Sequence, residues 1–226
     1  MTHPRHVFLT GATGYMGSRL AAELVRRGHH VRALIRRGSE SKLPRGITPI
    51  LGDALEETSF AEHVAPADTF VHLIGVAHPS PAKADQFRSV DLASARAAVA
   101  AASAAAVRHF VYVSVAHPAP VMQAYWKTRQ EAEKLIAQSG LNATVLRPWY
   151  VLGPGHRWPV LLVPLYWVAS LVPLTRLSAR RLGLVTLRQM ITALTYAVEH
   201  PIEGMRTVSV RKIRAGGAFE AVHRSQ

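Results

Sequence analysis

The segment Thr10-Gly11-Ala12-Thr13-Gly14-Tyr15-Met16-Gly17 constrains this chain more than any other stretch. It follows a short apolar run, His6–Thr10, and opens a helical pattern, Tyr15–Arg27. In that pattern Leu20, Ala21 and Leu24 share one face and Gly28 closes the end. A strand, a glycine-rich turn and a helix in this order can cradle a phosphate. Gly11 permits the tight turn, Gly14 lets a ligand approach the backbone, and Gly17 lets helix pack on strand. The first amides of the helix then face the anion. A sharp β–α turn with no ligand would need the same glycines, so the surrounding pattern has to decide.

That pattern alternates short apolar runs with helical periodicity. Val31–Arg36, Thr48–Leu51, Thr69–Gly75, His109–Val115, Ala143–Arg147 and Arg206–Val210 read as strands. Between them fall a short helix at Leu55–Val64, an alanine-rich one at Asp85–Ala106 and another at Ala124–Gln138. Thr186–His200 follows, with Thr186 and Gln189 at capping-box spacing and a stripe of Leu187, Ile191, Leu194 and Val198. The alternation predicts an α/β fold: a Rossmann-type doubly wound parallel sheet with a small C-terminal substrate or lid region. We expect one domain over residues 1–226, with an apolar lid-like insert at 153–183.

With 49% apolar and 18% charged residues, the chain can bury a sizeable core and is not a disordered segment. The formal charge of +13 is spread over short pairs such as Arg26–Arg27, Arg36–Arg37 and Arg180–Arg181. No zinc-finger or RNA-binding pattern accompanies them, so anion sites are expected rather than nucleic acid. The absence of cysteine excludes disulfides, thiolate metal sites and cysteine nucleophiles, and no metal is expected. Residues 1–6 lack the apolar core of a secretion signal, which makes a cytoplasmic location the expectation.

About twenty residues past the glycine loop, a dinucleotide-binding unit usually carries an acid for the adenosine ribose. Arg36 and Arg37 stand there instead. A guanidinium suits a 2′-phosphate, so the sequence favours NADP(H), with NAD(H) possible. Asp53, at the end of the third strand, either accepts from the adenine amino group or caps the turn that follows. The two roles are compatible.

Together these residues resemble the extended and atypical short-chain dehydrogenase/reductases, of the epimerase-like and NmrA-like kinds and the complex I accessory-subunit branch. The loop resembles their TGxxGxxG. Gly52-Asp53 resembles their adenine-contacting pair, and Phe110-Val111-Tyr112-Val113-Ser114 their fifth strand ending at the active-site serine. Lys127 with Glu131, then Leu146-Arg147-Pro148 and Val151-Leu152-Gly153-Pro154-Gly155, resemble their helix lysine and "RP…G.G" segments. The resemblance runs from about Val7 to Val210. It implies an NAD(P)-dependent oxidoreductase in which Ser114 touches the nicotinamide or a substrate carbonyl and Lys127 binds the nicotinamide ribose. A buried strand-end serine and an exposed Lys127–Glu131 pair would account for the same residues.

Family members pair their lysine with a tyrosine four residues earlier. Counting back from Lys127 gives Gln123, which has no proton to exchange. Tyr125, two residues from Lys127, is expected on the opposite side of the helix. The standard Tyr-x-x-x-Lys relay is therefore expected to be degenerate. His72, His78 and His117 fall near strand ends, where each is either an acid–base group or an ordinary loop or buried histidine.

Trp158–Thr175 is eighteen uncharged residues punctuated by Pro159, Pro164 and Pro173. Its place after the sixth strand favours a lid or substrate wall over a membrane span, with Trp149, Trp158, Leu162 and Tyr166 as its candidate contacts. Arg157, Arg176, Arg180 and Arg181 around it suit a phosphorylated substrate or peripheral contact with anionic lipid. The leading expectation is an NADP(H)-dependent reductase of an apolar carbonyl or quinone-like compound. A non-catalytic NADP(H) sensor or assembly protein comes next, and a nucleotide-sugar epimerase or dehydratase third.

Overall fold

In the computed structural model, residues 3–77, 79–118, 122–154 and 183–216 are described. Seven parallel strands form one sheet in the order β3-β2-β1-β4-β5-β6-β9. They are β1 (His6–Thr10), β2 (His30–Ile35), β3 (Ile47–Leu51), β4 (Thr69–His72), β5 (His109–Val113), β6 (Ala143–Arg147) and β9 (Met205–Ser209). A separate parallel pair joins β7 (Tyr150–Leu152) to β8 (Leu184–Thr186). The order reverses between β1 and β4, as in a doubly wound dinucleotide fold, and the crevice at that switch point is where such folds take ligands.

Strand alternation sorts the core onto the two faces. Val7 and Leu9 of β1, Val71 of β4 and Val111 of β5 pack with helix α1 (Gly17–Arg26) and Met190, Leu194 and Val198 of a later helix. Phe8, Phe70 and Phe110 face the other way and stack across three neighbouring strands, with ring centroids 5.1 and 5.3 Å apart. That side is covered by α3 (Ala93–Ala104) and α4 (Gln123–Gln138). The alanines of α3 let its backbone lie close to the sheet, where Ala98, Ala101 and Ala102 are buried.

α5 (Leu187–Glu199) starts with the expected capping box: Gln189 N–H donates to Thr186 Oγ1 at 3.2 Å, and Thr186 N–H donates to Gln189 Oε1 at 2.9 Å. The chain ends its described part in α6 (Val210–Arg214). Two expected helices differ from the observed ones. Residues 55–64 form two single 3-10 turns, because the Ser59 hydroxyl bonds the carbonyls of Asp53 and Glu56 and diverts the backbone from α-helix. The alanine-rich helix begins with one α-turn, α2 (Ala84–Gln86), and a π-turn over Phe87–Leu92 before α3. Residues 155–182, nearly all of the expected insert and including Trp158, Leu162 and Tyr166, lie outside the described residues. Among the described residues, no helix is long and apolar enough to cross a membrane.

Candidate functional site

The glycine loop crosses the carboxyl ends of β1 and β4. Gly11 has φ +80°, and a Cβ there would meet the Leu73 carbonyl carbon at 3.0 Å. A Cβ on Gly17 would lie 2.0 Å from the Gly11 carbonyl oxygen, so the close contact of helix and strand requires glycine. Gly14 meets only that same oxygen, at 3.2 Å, which leaves its outer face open. The first turn of α1 has no side-chain cap and no acidic residue. An open glycine backbone before uncapped helix amides fits a pyrophosphate.

Two lobes of a cleft share Gly11 and Gly75. One lobe is lined by Thr13, Arg36, Gly52, Asp53 and Val90, and continues into a shallow recess where Arg37 joins Arg36 and Asp53. Both arginines are exposed, and neither has an ion-pair partner among the described residues. Asp53 keeps its capping role, since Oδ1 accepts from Leu55 N–H at 3.0 Å while the residue lines the lobe.

The other lobe is lined by Gly14, Tyr15, Met16, Gly17, Ser114, Tyr125 and Arg129. The Tyr15 hydroxyl sits against Gly153, where a Cβ would come within 2.1 Å of it, and burial raises its pKa. Ser114 directly follows β5; its N–H donates to Leu146 O at 2.8 Å, while its buried Oγ has no partner among the described residues. Thr10 departs from expectation: it is buried, and its hydroxyl lies 2.8 Å from His72 Nδ1 rather than in either lobe.

One expectation for α4 is corrected, the placement of Lys127. Tyr125 lies on the opposite side of the helix from it, as expected, and lines the lobe with Ser114, its ring packed on Phe87 at 5.0 Å. Lys127 is exposed, its ammonium 5.9 Å from the Trp126 ring, and it lines neither lobe. The basic residue that shares the face of Tyr125 is Arg129, four residues on, with its guanidinium 5.3 Å from the tyrosine ring. Tyr125 and Arg129, rather than Gln123 and Lys127, are the pair at four-residue spacing that lines the lobe.

Arg129 is buried. Its Nη1 donates to Val113 O at 3.1 Å, the Tyr112 hydroxyl at 3.2 Å and Ile74 O at 3.4 Å, and its Nη2 lies 3.0 Å from Asp91 Oδ2. Asp91 Oδ1 accepts from Val76 N–H at 2.7 Å. Burial pushes the Asp91 carboxyl up, and the guanidinium opposes that shift. Neither Asp91 nor Gly75, which lies against Arg129, was picked out from sequence.

His72 is no acid–base group here. Burial pushes its pKa down to about 3, helped by Arg129, so it is neutral and serves Thr10 and Ser94. His117 pairs with Glu133 at 3.3 Å and stacks on Trp126, while Arg147 grips the same carboxylate; His117 lines neither lobe. His78 lies outside the described residues. Trp149 is half-buried against the core, edge-on to Tyr150 at 5.3 Å.

Residues 11–157 match the NAD(P)H-binding family. The chain is 29% identical over 168 residues to 4-hydroxy-2-methyl-3-oxo-4-farnesyl-3,4-dihydroquinoline-1-oxide ketoreductase of Stigmatella aurantiaca, covering 65% of this chain and 50% of that protein. It is 28% identical over 151 residues to ceramide reductase of Caulobacter vibrioides, covering 66% and 47%. The chain thus spans about half the length of these relatives. Its fold matches that of WbmH from Bordetella bronchiseptica in complex with NAD+ with a TM-score of 0.70 at 22% identity, covering 92% of this chain and 76% of that one. This chain belongs to the NAD(P)H-binding family.

Proposed function

We propose that this chain binds NADP(H) and reduces the carbonyl of an apolar substrate, quinone-like compounds included. The observation that carries this reading is the lobe itself: Ser114 and Tyr125 line it together with the helix end of the glycine loop. When bound, the dihydronicotinamide supplies a hydride to the carbonyl carbon. Tyr125 gives its phenolic proton to the carbonyl oxygen, and Ser114 orients that oxygen through its free hydroxyl. Residues 11–17 hold the pyrophosphate, Asp53 meets the adenine, and Arg36 and Arg37 pair with the 2′-phosphate. The apolar character of the substrate is supported by the names of two relatives, one a ceramide reductase and the other a ketoreductase of a farnesylated quinoline oxide.

The test is NADPH oxidation by the purified protein against long-chain ketones, aldehydes and quinones, with NADPH binding followed by fluorescence. Turnover of an apolar carbonyl that Tyr125→Phe abolishes supports the reading. NADPH binding with no turnover on any of them would favour the sensor role and sink the reductase.

A further inference from the structure

The π-turn and α4 meet through two matched pairs. Phe87 and Asp91 on one element face Tyr125 and Arg129 on the other, each pair four residues apart. The aromatic contact holds Tyr125 and the ionic contact holds Arg129. A π-turn inside a helix is uncommon, and such turns gather at functional sites. Here it lets one short segment present both Phe87 and Asp91 to α4.

The terminal nitrogens of Arg129 are already committed. Nη1 serves three oxygens, on the loop after β4, on β5 and on Tyr112. Nη2 faces Asp91 and is covered by Gly75, where a Cβ would lie 2.0 Å from it. The Nε–H is buried and has no partner among the described residues, and the side chain is only 6% exposed. That Nε–H is the one donor with no partner among the described residues, and it is buried rather than open to the cleft, although the guanidinium forms part of the cleft floor. Asp91 meanwhile holds the loop from the other side through Val76 N–H.

We propose that Asp91 and Arg129 are a positioning pair, a buried ionic clamp that fixes the 74–76 loop and the pose of Tyr125 without bonding the ligand. The planar guanidinium is suited to this because one rigid group meets four oxygens in different directions; an ammonium is a single compact charge and cannot span them. The pair also explains why a glycine occupies position 75, since the loop lies directly on the guanidinium. Part of the test rests on the reductase reading, and part does not.

The variants are Arg129→Lys, Arg129→Met and the apolar double change Asp91→Leu with Arg129→Met. Thermal melting, NADPH titration, steady-state kinetics and hydrogen–deuterium exchange of peptides over residues 74–77 are read for each. Both single variants should raise exchange in that loop and lower kcat by about 100-fold, a typical cost of small misplacements. NADPH affinity should stay within about threefold, well short of the roughly tenfold or greater loss expected if a charge-assisted bond to the cofactor were removed. The double variant should regain melting temperature over Arg129→Met, because it removes the unpaired buried carboxylate, yet keep the low kcat.

Full kcat in Arg129→Lys would overturn the proposal, since charge alone would then suffice. So would a tenfold loss of NADPH affinity with loop exchange unchanged, which would make Arg129 a direct ligand. Recovery of kcat in the double variant would leave the pair a stability feature only and overturn it as well. If the unmodified protein turns over no substrate while exchange and affinity respond as expected, the reductase reading falls and the clamp stands.

Discussion

A Cβ on Gly75 would lie 2.0 Å from Nη2 of Arg129, and the guanidinium has nowhere to go. Its Nη1 is held by Ile74, Tyr112 and Val113, and Asp91 faces Nη2 from the far side. Gly75→Ala should therefore destabilise the protein by about 1–3 kcal/mol, the usual cost of overpacking. It should also weaken NADPH binding, because Gly75 borders both lobes of the cleft. Gly28→Ala is the control: its φ is +86° but nothing lies within 4 Å, so only backbone strain of about 1 kcal/mol applies and NADPH affinity should hold. Denaturant melts and fluorescence titrations of the two variants check both halves.

Arg36 and Arg37 stand beside Asp53 with no acidic partner among the described residues, so their charges are available to a phosphate. NADPH should bind at least about tenfold more tightly than NADH, from one or two charge-assisted contacts worth about 1.5–3 kcal/mol each. Arg36→Asp should narrow or reverse that preference. Equal titration curves for the two cofactors in the unmodified protein would remove the claim.

Tyr125 and Lys127 separate two registers of α4. Tyr125→Phe keeps the ring on Phe87 and removes only the hydroxyl, so carbonyl reduction should fall by about 10²–10⁴-fold with the melting temperature nearly unchanged. Quinone reduction, which can draw its proton from water, should fall far less. Lys127→Ala, at an exposed position, should alter kcat by less than about twofold. A collapse of activity in Lys127→Ala with a mild effect in Tyr125→Phe would restore the register counted from the lysine.

The frame of the fold was legible because its signals are local and strong. β1 and β6 begin and end at the expected residues, and Thr186 and Gln189 form both bonds of the expected capping box. What stayed hidden depended on partners far along the chain. The three-residue strands β7 and β8 carry too little alternation to read, and they exist because residues 150–152 and 184–186 pair. The π-turn at 87–92 interrupts a helical pattern that looks continuous in sequence. The glycine loop and its arginine neighbours could be placed from order alone. The α4 side of the cleft could not, since Tyr125 and Arg129 line it while the nearby Lys127, from which the spacing was counted, lies outside it.

His72 makes stability depend on acid in a direction that can be worked out from its burial. An unfolded histidine takes a proton near pH 6.5, whereas His72 in the fold resists until about pH 3, chiefly because burial disfavours the charged ring and Arg129 adds repulsion. Below the unfolded value the unfolded state therefore binds more protons than the native one, and acid pulls the equilibrium toward unfolding. The contribution is complete above pH 6.5 and is lost progressively as the pH falls toward 3. By about pH 4 it should cost on the order of 3 kcal/mol. His109, also buried and pushed down to about 4, adds a loss of the same sign. Urea unfolding of the unmodified protein and of His72→Gln, run at neutral pH and near pH 4.5, isolates the effect. The variant loses the bonds to Thr10 and Ser94 and should be weaker at neutral pH, yet its stability should fall less between the two conditions. Parallel losses in the two proteins would show that the acid sensitivity has another source.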